Sequence, residues 1–192
     1  THILWNLSYN RVLMTLKVRQ QLLTPDDLGQ LLEAIASKIL ESNPGSPIIL
    51  LGIERRGGTL ARRLSKIIRK SGTEAEVGTL DINLYRDDLT MVAEQPIVRK
   101  TTLPVDITGR DVILIDDVLY TGRTIRAALE ALNDYGRARS IRLAVLLDRG
   151  LRELPIQPDF LGRQIDIGPD QIVDVHVVEI DGDDGSWILE KE

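Results

Sequence analysis

The chain has 192 residues, 43% of them hydrophobic and 28% charged, which is typical of one globular domain and excludes disordered and fibrous classes. It contains no cysteine, which excludes disulfides, thiolate metal sites and cysteine nucleophiles. Its two histidines exclude a multi-histidine metal centre. The net charge of -5 argues against a nucleic-acid binder that uses its whole surface.

The negative charge is concentrated near the C-terminus. Residues 166–192 carry nine carboxylates and one basic residue, whereas the rest of the chain has 23 basic and 20 acidic residues. We interpret this acidic tail as a solvated edge of the domain rather than as a masking segment.

No apolar stretch approaches the roughly 20 residues that cross a bilayer, and the N-terminus lacks the pattern of a secretion signal. We therefore expect a cytoplasmic protein without a membrane partner. Met14 is a candidate for the native start, so residues 1–22 are interpreted as an N-terminal extension and residues 23–192 as a single domain.

The first predicted element is a helix that opens at Thr24, with Pro25 at its first position and Leu23 and Leu28 placed as a hydrophobic staple. The turn-forming segment 42–47 ends it. A continuous apolar run, Ile48–Ile53, then predicts a buried strand.

The next predicted helix runs from about Thr59 to Lys70, after a charged glycine turn, and a strand follows over Glu76–Tyr85. Residues 86–108 form a long, charged, proline-interrupted segment without periodicity. Loops of this length within compact domains are usually functional or mobile.

Three further elements complete the pattern: a strand over Asp111–Ile115, a helix over Ile125–Leu132 and a strand over Ile141–Leu147. Strands that are apolar on both faces and alternate with helices indicate a parallel sheet covered on both sides. The sequence therefore predicts an α/β, doubly wound domain with a mostly parallel sheet and helices on both faces.

In such sheets, ligands bind beyond the carboxyl ends of the strands. Asp116 and Asp117 end one predicted strand, and a turn with threonine hydroxyls opens the next helix. Amide groups at a helix N-terminus cradle phosphate, and paired carboxylates suit a diol or a magnesium-bound sugar. The pattern indicates a ribose 5-phosphate site, built from Asp116, Asp117, Val118, Leu119, Tyr120, Thr121, Gly122, Arg123 and Thr124.

The segment Val112–Thr124 resembles the fingerprint of the phosphoribosyltransferases: a hydrophobic strand, two acidic residues and a TG-containing turn. Leu51–Leu64, Thr79–Leu89 and Leu146–Gly162 resemble the branch of this family that transfers phosphoribose to uracil and attenuates pyrimidine-operon transcription. The resemblance covers about Leu23–Glu190 and implies a small hood and a mobile loop beside the sheet.

The second strand end is Glu54–Gly58. Its glycines allow close approach to an anion, and its arginines supply charge-assisted donors. The resemblance implies that Arg55, Arg56 and Gly57 bind the diphosphate of 5-phosphoribosyl 1-diphosphate (PRPP). The sequence departs from the family at Glu54 and Arg55, where a lysine or an uncharged residue and then a threonine are common.

The third strand end carries Asp148 and Arg149, which the resemblance assigns to uracil binding. Val173 is a candidate for an apolar wall beside the base, with a place in the core as the alternative.

The long segment is expected to close as a lid that keeps water from a reactive sugar cation. Arg86 is its candidate catalytic cation. Arg99 and Lys100 are further candidates, for which a solvated surface loop is the alternative.

The resemblance implies the reaction of uracil with PRPP to give uridine monophosphate (UMP) and diphosphate, with Mg²⁺ bound together with PRPP. Asp116 and Asp117 are the expected catalytic carboxylates, and they would contact the metal indirectly, through substrate or water. UMP and UTP are expected ligands, and a homodimer or higher homo-oligomer is the expected assembly. The alternative is a phosphoribosyltransferase that does not bind RNA, and one form of this alternative is an enzyme specific for purine bases.

Binding of pyrimidine-operon leader mRNA is implied by the resemblance alone, because aromatic residues total 4% and no RNA-binding motif appears. Leu151 and Gln157 stand where the family usually has histidine and arginine. The candidate phosphate contacts are basic side chains: Arg19, Lys38, Arg137, Arg139, Arg142, Arg152 and Arg163.

Overall fold

A five-stranded parallel sheet forms the centre of the protein in a computed structural model that describes residues 16–85 and 101–191. The strand order is β3-β2-β4-β5-β6. The strands are β2 (Ile48–Ile53), β3 (Ala75–Leu80), β4 (Asp111–Leu119), β5 (Ser140–Asp148) and β6 (Phe160–Gln164).

Helices cover both faces of this sheet. Ile113 and Ile115 of β4 belong to a core shared with α1 (Pro25–Ser42) and α2 (Arg56–Lys70). Val112 and Leu114 face the other way and pack with α3 (Arg123–Asn133). Because successive side chains of a strand point to opposite faces, a continuous apolar run serves both cores. The predicted doubly wound α/β architecture is confirmed.

The winding of the sheet reverses between β2 and β4. From β2 the chain moves outward to β3, and it then returns to the other side of β2 to form β4. At such a reversal the two loops that follow the strands diverge and leave a crevice. The segments 54–58 and 120–124, identified above from the sequence, contain these loops and the first residues of α2 and α3.

A second sheet is antiparallel and has the order β1-β8-β7; we call it, together with α4 (Val178–Asp181), the hood. Its strands are β1 (Leu16–Leu23), β7 (Gln171–His176) and β8 (Gly185–Lys191). Residues 16–22, assigned above to the N-terminal extension, therefore lie in a strand, and the folded domain begins before residue 23.

The N-terminus of α1 agrees with the prediction. The Thr24 hydroxyl accepts a hydrogen bond from the Asp27 amide at 3.2 Å, and the Thr24 amide donates to the Asp27 carboxylate at 2.9 Å. Leu23 and Leu28 are both buried. The other two helices begin earlier than predicted, at Arg56 and Arg123.

The predicted strand over Glu76–Tyr85 is wrong beyond Leu80. β3 pairs with β2 only as far as Ile53, where β2 ends, so the chain has no parallel partner to continue along. It turns instead into a 3-10 helix, Asn83–Tyr85.

The C-terminal part of the long segment, residues 101–108, lies against the sheet. Thr102 forms an isolated antiparallel bridge with Thr79, and Ile107 is fully buried. Arg86, Arg99 and Lys100, and the predicted lid with them, lie outside the described residues. None of the described helices is long and apolar enough to cross a membrane.

We expect Thr24→Ala to lower the free energy of unfolding by about 1 kcal/mol, because the helix loses its capping side chain. Urea denaturation followed by circular dichroism measures this change. Glu41→Ala, at an exposed position of the same helix, is the control and should stay within about 0.5 kcal/mol of the unsubstituted protein. Equal stability of the two variants would contradict the capping role.

Candidate active site

The two central carboxylates lie inside β4, not after it as the sequence suggested. β4 extends to Leu119 because it pairs with β5 as far as Asp148. Asp116 accepts a hydrogen bond from the Asp117 amide at 3.0 Å, and Asp117 accepts one from the Val118 amide at 2.8 Å. These bonds hold both carboxylates at the carboxyl end of the strand.

Burial raises the pKa of Asp117, and the positive charge of Arg56 opposes that rise. Asp116 is buried, and Asp117 next to it is half-buried. Two acidic groups in a poorly solvated place attract cationic or hydroxyl-bearing partners more strongly than they would in water. This environment suits a sugar diol or a developing positive charge.

The turn after β4 has the shape of a phosphate cradle. Gly122 has a φ of +93°, which favours glycine, and α3 starts at the next residue. The first amides of a helix have no acceptor within the helix and so face outward to an anion. The amides of Glu153 and Leu154 donate hydrogen bonds to the Thr121 carbonyl at 3.0 and 3.1 Å. These two bonds fix the position of the turn.

Four further residues predicted for the phosphate site are Val118, Leu119, Arg123 and Thr124. Val118 packs against the core and Leu119 is buried, so their side chains anchor the turn. Arg123 pairs with Glu153 at 2.6 Å, and Thr124 lies in the first turn of α3.

Arg152 supports the site from within the protein. Its guanidinium donates to the Tyr120 carbonyl at 2.8 Å, to the Ile156 carbonyl at 2.8 Å and to the Asp148 carboxylate at 2.6 Å. The predicted contact of Arg152 with RNA phosphates is therefore wrong, because these internal acceptors occupy its donors. The sequence did not signal this pairing, because a spacing of four residues brings side chains together on a helix and residues 149–152 are not helical.

The loop after β2 is pressed against β4. A side chain at Gly57 would overlap the Ile115 carbonyl, and one at Gly52 would overlap the backbone of Gly57. These two glycines therefore allow the backbone contact that places Arg56 beside Asp117, whose charge acts on it. The structure brings the first and second predicted strand ends together; Arg55 is exposed at the mouth of the loop.

Arg56 also contacts the hood. Its Nε and Nη2 groups each donate to Asp181 at 3.1 Å, and Nη2 lies 3.4 Å from Asp174. Burial acts to lower the pKa of Arg56, but the bonds to Asp181 and the neighbouring carboxylates raise it.

Arg63, two turns along α2, binds Glu179 and Asp184 of the hood. The interpretation of the acidic tail as a solvated edge is therefore wrong for four of its nine carboxylates, which pair with α2; Asp166, Asp170 and Asp183 are exposed as expected. Nothing in the local sequence pattern signalled these contacts.

The third strand end contributes a buried guanidinium. Arg149 is 7% exposed and lies 3.9 Å from the centre of the Tyr120 ring, and it donates to the Gly168 carbonyl at 3.3 Å. Burial lowers the pKa of Arg149. The Asp148 carboxylate is occupied by Arg152 and by the Gly150 amide, so its side chain supports this turn.

Val173 packs against the core on the α1 and α2 side of the sheet and pairs with Ile188 of β8. This position fits the alternative, a place in the core. Leu151, in the histidine position of the family, is half exposed and has a φ of +56°.

The basic residues considered for RNA contacts are spread over several elements. Arg19 lies in the hood near Glu190, and Lys38 of α1 donates to the Leu161 carbonyl. Arg139 binds Asp111, and Arg142 binds Asn43. These two arginines lie at the amino end of β5, at the opposite end of the strands from Asp116 and Asp117. The described contacts thus indicate no single basic patch formed by these residues.

The acidic pair fits a magnesium ion that arrives with its substrate. Among residues 16–85 and 101–191, no cluster of three or more candidate metal ligands is found. Mg²⁺ is commonly held by one or two carboxylates, with waters and substrate phosphates completing its shell. Asp116 and Asp117 supply such a pair.

The chain matches the family model described as a phosphoribosyl transferase domain over residues 19–181. The crystal structure of a hypoxanthine-guanine phosphoribosyltransferase from Bacillus anthracis is similar, with a TM-score of 0.67, 17% identity, and coverage of 92% of this chain and 99% of that one. A hypoxanthine phosphoribosyltransferase from Staphylococcus aureus has a TM-score of 0.67 at 23% identity, covering 91% and 93% of the two chains. These structures support the fold.

Two relatives with a higher sequence identity than these structures show to which group of the family the chain belongs. The bifunctional protein PyrR of Thermus aquaticus is 48% identical over 92% of this chain and 99% of its own length. The bifunctional protein PyrR of Clostridium novyi is 48% identical over 88% of this chain and 97% of its own. The chain therefore belongs to the phosphoribosyltransferase family, within its group of bifunctional PyrR proteins.

Proposed function

We propose that this protein transfers the phosphoribosyl group of PRPP to uracil, giving UMP and diphosphate. The observation that carries the proposal is the meeting of three groups at the sheet reversal: the carboxylates of Asp116 and Asp117, the phosphate turn and the Arg56 loop. Membership of the PyrR group supports uracil as the acceptor.

PRPP has three parts, and each has a matching segment. The turn Thr121–Thr124 offers helix-terminal amides and hydroxyls to the 5-phosphate. Asp116 and Asp117 accept hydrogen bonds from the ribose hydroxyls. Arg55, Arg56 and Gly57 receive the diphosphate, with Arg56 as the half-buried donor and Arg55 as the exposed one.

In the reaction, the bond between the ribose C1 and the diphosphate oxygen breaks, and its electron pair leaves with the diphosphate. Uracil N1 forms the new bond to C1, and the proton of N1 passes to the solvent. Arg56 stabilises the charge on the leaving diphosphate, and the carboxylates of Asp116 and Asp117 stabilise the positive charge at C1. Mg²⁺, when bound with PRPP, neutralises part of the diphosphate charge.

Uracil is placed beside the third strand end, next to Arg149 and the Tyr120 ring. Arg149 is a buried cation with no carboxylate partner in the salt bridges described, so a carbonyl-rich base would give it an acceptor. Asp148 acts by holding the turn. Arg86 stays a prediction for the lid.

We propose a second activity, binding of pyrimidine-operon leader mRNA under the control of bound UMP or UTP. Its support is the relationship to the bifunctional PyrR proteins. A cytoplasmic location fits both activities, and a homodimer or higher homo-oligomer remains the expected assembly.

The substrate preference can be tested with one phosphoribosyl donor and three bases. We expect the protein to convert uracil with PRPP and Mg²⁺ to UMP, and to leave hypoxanthine and guanine unreacted. Product separation by chromatography measures each rate. Preferential use of a purine would contradict the proposed acceptor and favour the purine-specific alternative.

The double variant Asp116→Asn with Asp117→Asn should lose at least about a hundredfold in kcat, because both negative charges at the reacting sugar are removed. Circular dichroism should show the native fold. The matched control, Asp26→Asn with Glu41→Gln, removes two charges from the exposed surface of α1 and should retain activity. Full activity in the first variant would refute the assignment.

For the regulatory activity, we expect a labelled leader RNA to bind in a mobility-shift assay, more tightly when UMP is present. Added salt should weaken this binding, because phosphate contacts release counterions. A scrambled RNA of the same length is the control. Absence of a shift at low salt would leave the enzyme activity alone.

A further inference from the structure

Arg56 is held by the hood in a fixed orientation. Asp181 accepts from its Nε and Nη2 groups, both at 3.1 Å, which is the two-pronged arrangement that fixes the plane of a guanidinium. The Nη1 group takes no part in this fork. One side of the guanidinium is therefore committed to the hood, and within residues 16–85 and 101–191 no hydrogen bond holds Nη1, which leaves it able to donate to a ligand.

The carboxylates that hold Arg56 are themselves held. Asp181 accepts a hydrogen bond from the Val177 amide at 2.9 Å. Asp174, which lies 3.4 Å from Arg56, also contacts His176 Nε2 at 3.0 Å. The other ring nitrogen of buried His176 contacts Asp183 at 2.7 Å. The fork is thus part of a connected polar network and not a loose surface ion pair.

This network links two parts of the site that are distant in sequence. Arg56 and Asp181 are separated by 125 residues, and they join the loop proposed for the diphosphate to the hood. A side chain as long as arginine loses considerable rotational freedom when it is ordered. Because the two hydrogen bonds to Asp181 order Arg56 before a ligand binds, ligand binding does not have to include that loss of entropy.

We propose that Asp181, assisted by Asp174, is a positioning residue that orients Arg56 toward the diphosphate of PRPP. This inference rests on the proposed function, because it assigns Arg56 to the diphosphate. Asp181 touches no reacting atom in this scheme; it acts through the guanidinium that it holds.

Simple electrostatics makes the opposite prediction for the key variant. Asp181→Asn removes a negative charge near an anion site, so charge alone would tighten the binding of diphosphate. Positioning predicts weaker binding, because an amide NH₂ group facing the guanidinium cannot accept both of its hydrogen bonds. The sign of the change therefore distinguishes the two explanations.

The same helix offers a matched control. Arg63 lies seven residues beyond Arg56 and donates from Nε to Glu179 of the hood at 2.9 Å. It also binds Asp184 at 2.8 Å, so α2 stays linked to the hood without Glu179. Glu179→Gln therefore weakens an arginine–carboxylate pair of the same kind without touching the proposed diphosphate loop.

The experiment is calorimetric titration of the unsubstituted protein, Asp181→Asn and Glu179→Gln with PRPP, inorganic diphosphate and ribose 5-phosphate, each with Mg²⁺. We expect Asp181→Asn to weaken PRPP and diphosphate binding by roughly tenfold or more, by analogy with the loss found when a residue that orients a metal ligand is replaced. Ribose 5-phosphate binding should be unchanged, as should all three affinities of Glu179→Gln. In steady-state assays, the KM for PRPP should rise and the KM for uracil should not.

Unchanged or tighter binding of diphosphate by Asp181→Asn would overturn the proposal. An equal loss of ribose 5-phosphate affinity would also overturn it, because that pattern indicates general damage to the hood. If Asp181→Asn does not fold, Asp174→Asn decides, with a smaller loss of the same selectivity expected. Failure of the unsubstituted protein to bind PRPP would instead refute the proposed function, and this inference with it.

Discussion

Parallel pairing of β2, β4 and β5 is the constraint on which the site depends. Because parallel strands end at the same edge of a sheet, the segments that follow them meet there, although they are far apart along the chain. The close approach of Gly57 to the Ile115 carbonyl then brings the arginine loop to the acidic pair. A bulkier residue at Gly57 would separate the two halves of the proposed PRPP site.

Acidic and basic side chains alternate outward from the carboxyl edge of the parallel sheet. Asp117 is half-buried and its pKa is raised by desolvation, Arg56 lies beside it, and carboxylates of the hood lie beyond Arg56. An arginine between acidic groups is oriented by some of them and remains positively charged throughout the physiological pH range. The acidic C-terminal region therefore belongs to the architecture of the site.

Several polar residues near the site support others and do not face the crevice themselves. Arg152 joins Asp148 to the carbonyl of Tyr120, so it links the third strand end to the phosphate turn. In our proposal, Asp181 supports Arg56 in the same way, by orienting its guanidinium. In both cases a partly buried arginine–carboxylate pair fixes a backbone turn or a side chain whose position a phosphoribosyl ligand would sense.

The sequence by itself determined the local features. Apolar runs of strand length, the Thr24 cap and the acidic couple followed by Thr121 and Gly122 are readable because they depend on neighbouring residues. The tertiary structure decided the extent of β4, which its pairing with β5 lengthens, and the hood, whose strands come from both ends of the chain. It also decided the partners of Arg56 and Arg152, because periodicity and turn chemistry carry no information about which distant carboxylate a guanidinium will meet.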